Sequence, residues 1–256
     1  MYSLNILFFV LALFTCFLAY AVIPTIAIRV LSLRIYKKGN KQNTIVLTFD
    51  DGPDPLYTPR LLNLLKRHKV KATFFVVGKK AKQHPDLIRR MHEEGHEIGL
   101  HNYRHTSNWL MPPFVISQGL RQSADIVEEI IGERPIYYRP PWGHFNACML
   151  PLQKKYKTIM WTYILGDWKE TLGVSKLLRR LKKCQLDGAI IVLHDSGETL
   201  GADKRAPENM LMALELFFKE KESEKINWLT VSEIFSTEKE SKDFVVSYNE
   251  RKQMRL

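Results

Sequence analysis

Thr44-Ile45-Val46-Leu47-Thr48-Phe49-Asp50-Asp51-Gly52-Pro53 decides how the rest of the chain is read. Ile45, Val46, Leu47 and Phe49 form a short apolar run of β-branched and aromatic type, and Gly52-Pro53 is strong turn punctuation. The stretch therefore predicts a buried strand that ends in two adjacent carboxylates. Side chains at the carboxyl end of such a strand face the mouth of a barrel or open sheet, where α/β enzymes keep their chemistry. Neighbouring carboxylates repel each other, and a bound cation relieves that repulsion. One carboxylate can then act as ligand and the other as base. A solvated Asp-Asp-Gly-Pro turn explains the same four residues, so nitrogen ligands and an acid must be sought elsewhere.

Working outward, strands and helices alternate. Leu61, Leu62, Leu64 and Leu65 line one face of a helix over 58–68. A second buried strand, 72–77, is closed by Gly78, a helix over 86–94 by Gly95, and a longer helix around Val115–Ile130 by Gly132. Short strands are expected at 97–100, 136–138, 158–165, 189–193 and 228–231, with further helices near 146–156, 174–184 and 207–221. Alternation of this kind implies parallel pairing through right-handed crossovers. About seven such units, with polar residues recurring at strand ends, fit a (β/α) barrel better than a flat sheet.

The chain has 256 residues, 45% hydrophobic and 25% charged, with a formal charge of +11. That suits one barrel-sized domain with appendages. A basic balance suits anionic surroundings such as phospholipid or acidic wall polymer, and no nucleic-acid motif accompanies it. Cys16, Cys148 and Cys184 show neither metal spacing nor a disulfide framework, so cysteine usage does not fix the redox compartment. Residues 2–28 carry no charged side chain. That run exceeds the roughly 20 residues needed to cross a bilayer, and it has no clear small-x-small cleavage site. Expected boundaries are a transmembrane anchor at 1–30, a basic linker at 31–43, a catalytic domain at 44–235 and a charged tail at 236–256. Arg29, Arg34, Lys37, Lys38 and Lys41 after the span favour a cytoplasmic domain by charge bias, but large domains translocate largely regardless of such charge.

His101 and His105 are four residues apart, so both imidazoles can reach one ion from a helical turn. His101 also emerges straight from a strand end, as Asp51 does. Together they would make an open three-ligand site for zinc or a similar divalent ion. His84, His92 and His96 read as surface residues. Arg139 precedes two prolines that stiffen the loop carrying Trp142 and Gly143; a surface salt bridge is the plainer reading of that arginine. Asp167-Trp168 and His194-Asp195 are again polar pairs at strand ends.

Thr48-Phe49-Asp50-Asp51-Gly52-Pro53, His101-x-x-x-His105, Arg139-Pro140-Pro141-Trp142-Gly143, Asp167-Trp168 and Val192-Leu193-His194 resemble, in order, the five motifs of the polysaccharide deacetylase family. The family is also called NodB-homology, or carbohydrate esterase family 4, and the resemblance covers about residues 44–232. It implies a distorted (β/α)7 barrel and metal-dependent removal of acetyl groups from an amino-sugar glycan of peptidoglycan or chitin type. It further implies that Asp50 is the base and that Asp51, His101 and His105 hold the metal, most often zinc, with cobalt or nickel as alternatives. Arg139 would orient the base, the Trp142 N–H would receive the oxyanion, and His194, steered by Asp167, would be the acid. Two positions depart from the family pattern: Asn102 stands where Ser or Thr is usual, and Ile164 where an Asp is usual. A catalytically silent glycan-binding protein and a cytoplasmic-facing enzyme on a lipid-linked sugar remain open. Residues 197–207 read equally as a substrate loop or a plain surface connection.

Overall fold

The structure, a computed structural model, describes residues 2–236. Its frame is a nine-stranded sheet: β1 (Ile35–Tyr36), β2 (Thr44–Asp50), β3 (Ala72–Val76), β4 (Glu97–Leu100), β5 (Tyr137–Tyr138), β6 (Lys157–Ile159), β7 (Tyr163–Ile164), β8 (Asp187–His194) and β9 (Asn227–Trp228). The order is β1-β6-β5-β4-β3-β2-β8-β7, with β9 beside β2, and every strand pair is parallel. The expected strand over 158–165 is split. Its first part pairs with β5 and its second with β8, so one stretch of chain joins the two ends of the curled sheet. This is the distorted barrel.

Strand β2 shows why the sheet curls round a polar mouth. Its outward side chains, Ile45, Leu47 and Phe49, are buried beneath the helices Tyr57–Arg67, Gly173–Lys182 and Ala206–Lys221. Each buried side chain of that type contributes about 1.5–3 kcal/mol. The alternate residues Val46, Thr48 and Asp50 face inward. Val46 packs with Phe75, Ile190, Val231 and Ile234. The inward file therefore runs from apolar at the base to charged at the top.

The N-terminal segment departs from the expected boundaries. A helical run, α1 (Tyr2–Phe17), a π turn (Leu18–Val22) and α2 (Ile23–Val30), contains one candidate membrane span, Leu4–Val30. Its first half is bare. Its second half is built into the domain: Ile28 is buried in a core with Leu120, Phe145 and Met149, and Thr25 Oγ1 donates to the Phe145 carbonyl at 2.8 Å. Pro24 explains the join. It has no N–H to give the carbonyl four residues back, so Tyr20 O is released and accepts from Ala147 N at 2.8 Å. The 31–43 stretch is likewise more than a linker, because Ile35 is buried and β1 pairs with β6. The helix expected near 146–156 shrinks to Met149–Leu152, and a helix absent from the sequence reading, Gly78–Gln83, follows β3. Beyond Ser236, the charged tail expected at 236–256 lies outside the described residues.

Candidate active site

Register sets Asp50 and His194 side by side: Asp50 on β2 is the pairing partner of His194 on β8. The next residue, Asp51, leaves the strand with φ 78°, a left-handed conformation that is strained for anything but glycine. Asn102 (φ 59°) and Trp142 (φ 54°) share that strain, so three cleft loops hold costly backbone where side chains must be aimed. Asn is among the residues that bear it best. Asn102 also ties its loop down, donating to Thr106 O at 3.0 Å and Asn108 Oδ1 at 2.9 Å while accepting from Tyr138 Oη at 2.9 Å. Gly52 is needed for closeness: a Cβ there would lie 2.4 Å from the Asp195 carboxylate.

Asp51, His101 and His105 come together at the mouth, with one donor atom from each within 4.8 Å of the others. Asp51 Oδ1 lies 3.3 Å from His101 Nε2 and 3.1 Å from His105 Nε2. It is buried and makes no hydrogen bond to either. Three acceptor atoms converging without bonding one another fit a shared cation. Ligands about 2.0–2.1 Å from a tetrahedral zinc would stand about 3.3 Å apart, close to the spacing from Asp51 Oδ1 to each imidazole. The imidazole of His101 is oriented for this, since its Nδ1 donates to the Arg139 carbonyl at 2.7 Å and leaves Nε2 for a ligand. Burial lowers the His105 pKa, with Asp51 opposing, which favours the neutral ring that binds metal. Burial alone would raise Asp51, but the two imidazoles outweigh it and hold the carboxyl well below its usual range.

Arg139 is fully buried, and the surface salt bridge does not hold. Such burial is tolerable only when the charge is paired and its three nitrogens are hydrogen-bonded. Its Nη1 donates to Asp50 Oδ1 and Thr48 Oγ1, both at 2.7 Å, while Nε and Nη2 reach the Ile159 and Met160 carbonyls at 3.1 Å. On the other side, Asp167 grips His194 twice, through the ring Nδ1 at 3.0 Å and the backbone N at 2.7 Å. Burial works against charge on that ring, yet Asp167, helped by Asp51 and Asp50, raises its pKa to about 10. His96 corrects the surface reading: it is buried, its Nδ1 accepts from Ala72 N at 3.2 Å, and burial lowers it to about 3.

The cleft over these groups measures about 370 Å³ and is walled by Trp142, Trp161, Trp168, Leu200 and Arg29. Sequence reasoning missed three of its parts. Thr199, in the 197–207 segment, donates to Asp51 Oδ2. Trp161 sits in the gap between β6 and β7, and Arg29 comes from the apolar helix. None lies in a motif, and only the fold brings them here.

A family model described as polysaccharide deacetylase matches residues 37–161. The chain is 34% identical over 162 residues to a peptidoglycan-N-acetylglucosamine deacetylase of Bacillus cereus, covering 62% of this chain and 75% of that protein. The chain belongs to the polysaccharide deacetylase family. It is also 37% identical over 174 residues to the peptidoglycan-N-acetylmuramic acid deacetylase PdaA of Bacillus subtilis, across 64% of this chain and 66% of that one. A solved peptidoglycan N-acetylglucosamine deacetylase, bound to an N-hydroxybenzamide, superposes with a TM-score of 0.73 at 25% identity, over 82% of this chain and 96% of that one. As a polysaccharide deacetylase the chain is a hydrolase.

Proposed function

We propose that this polysaccharide deacetylase is a metal-dependent enzyme that removes N-acetyl groups from a peptidoglycan-like amino-sugar glycan outside the cell, held to the membrane by its N-terminal helix. The observation that carries the reading is the buried, unbonded convergence of Asp51, His101 and His105 between Asp50 and His194. A divalent ion held there, most simply zinc, would acidify water and polarise the acetamide carbonyl. Asp50, aimed by Arg139, takes the water proton. The Trp142 N–H, fixed by the strained turn between Pro141 and Gly143, receives the negative charge on the carbonyl oxygen. His194, held protonated by Asp167, gives its proton to the departing amine. The aromatic walls suit the apolar faces of sugar rings. The external location is supported by the relatives' named substrates and by a helix long and apolar enough to cross a membrane.

The test uses the full chain in detergent, because residues 20–36 are part of the domain. Zinc-loaded protein should release acetate from N-acetylated peptidoglycan strands or chitooligosaccharides. Glycan binding with no acetate from either would make it the silent binder. Protease treatment of intact cells should remove the domain; a domain left whole would instead face the cytoplasm.

A further inference from the structure

Among the described residues, Arg29 is the one charged side chain lining the cleft that the catalytic scheme leaves without work. It is exposed, and it lines the same cleft as Asp50 and His194. Its guanidinium carbon lies 5.6 Å from the centre of the Trp161 ring, and that of Arg139 lies 5.9 Å from the same ring. Arg139 in turn holds Asp50. Arg29 is thus no further from Arg139 than those two distances together, which is the reach of one or two sugar rings. Among the described residues no carboxylate pairs with it. Lys37 Nζ donates to its backbone carbonyl, so a second cation stands beside it.

Position explains why this charge is held at the cleft. Tyr20 and Thr25 bolt the helix to the domain through Ala147 and Phe145, and Arg29 follows one turn after Thr25 on that fixed stretch. A free arginine at a membrane boundary would extend toward lipid headgroups. This one lies over the ring of a cleft wall instead. An aromatic face holds a guanidinium by its plane and leaves the N–H fork outward, where it matches a carboxylate or phosphate.

We propose that Arg29, supplied by the apolar helix, binds an anionic substituent of the glycan, so that this enzyme prefers an N-acetylated amino sugar bearing a carboxylate or phosphate over a neutral one. This rests on the deacetylase reading above and narrows its substrate class.

The experiment measures kcat/KM of the zinc-loaded full chain on four probes: neutral chitotetraose, short muramyl glycan strands, the same strands with the carboxyl reduced to an alcohol, and 6-phosphorylated chitotetraose. A charge-assisted contact should favour an anionic probe by roughly 10- to 100-fold. A preference for muramyl strands that carboxyl reduction abolishes identifies the carboxylate as the ligand; a preference for the phosphorylated probe identifies phosphate. Arg29→Gln should collapse the charged-to-neutral ratio toward one, mainly through KM, and Arg29→Lys should retain part of it. A wild type that favours the neutral probe, or an Arg29→Gln variant that lowers all probes alike, overturns the assignment. Acetate from no probe would sink the deacetylase reading instead. Calorimetric binding of the muramyl and phosphorylated probes to wild type and Arg29→Gln would then still decide the arginine: weaker anion binding in the variant supports it, and equal binding overturns it.

Discussion

The floor of the cleft and its walls are made differently. The floor (Asp50, Asp51, His101, Arg139, Asp167) is buried and stands on strand ends or the turns directly after them, held by hydrogen bonds that leave Asp51 Oδ1 and His101 Nε2 facing each other. The walls (Arg29, Trp142, Leu200) are at least one-third exposed and come from a helix and loops far apart in sequence. On the proposed reading, chemistry that tolerates little movement belongs to the rigid sheet, and recognition of the glycan to its periphery. If the division is real, floor substitutions should reduce turnover on every substrate, while wall substitutions should change which substrate is preferred.

The largest effect should come from the floor. Asp50→Asn should lower acetate release by about 10²–10⁴-fold on all glycans, the range for losing a general base; a loss confined to one glycan would break the comparison. Arg139→Leu should destabilise the domain by about 3–5 kcal/mol in chemical denaturation, because it strands Asp50 as an unpaired buried charge. Adding Asp50→Asn to it should restore part of that loss.

Thr199 sharpens the comparison, since it reaches from a wall loop to the floor. Thr199→Val should weaken metal binding by about 10–100-fold, the usual result of removing a group that orients a ligand, and equilibrium dialysis against zinc would measure it. The smallest change is a shift in pH dependence. His194 must be protonated to serve as acid, so activity should fall as pH rises through its raised pKa, about 10. Asp167→Asn removes the main partner that raises it, and the alkaline limb of kcat/KM should move to lower pH. The stabilising effect of that pair has the same sign. It is full below about 6.5, the ordinary histidine value, and is lost as pH rises through about 10.

How legible each region was follows from the same division. The strand at 44–50 announced itself through its apolar run and turn, and Asp50, Asp51, His101 and His194 were findable because strand ends project into the mouth. Neither Arg29 nor Trp161 carries a local signal. Residue 29 looked like the edge of an anchor, because hydropathy reads composition and is blind to Pro24 releasing a carbonyl to the domain. Strand β1 is too short to show a period, and its two residues are held by pairing with β6. His96 looked like surface because a histidine close to Glu93, Glu94 and Glu97 gives no sign that its ring faces inward.

Metal content measured together with acetate release tests the central claim most directly. As isolated or zinc-loaded, the full chain should hold one divalent ion, lose both ion and activity on EDTA treatment, and regain both with zinc, whereas Asp51→Ala should hold none. Full activity after the metal is stripped, or undiminished metal in Asp51→Ala, would contradict the account.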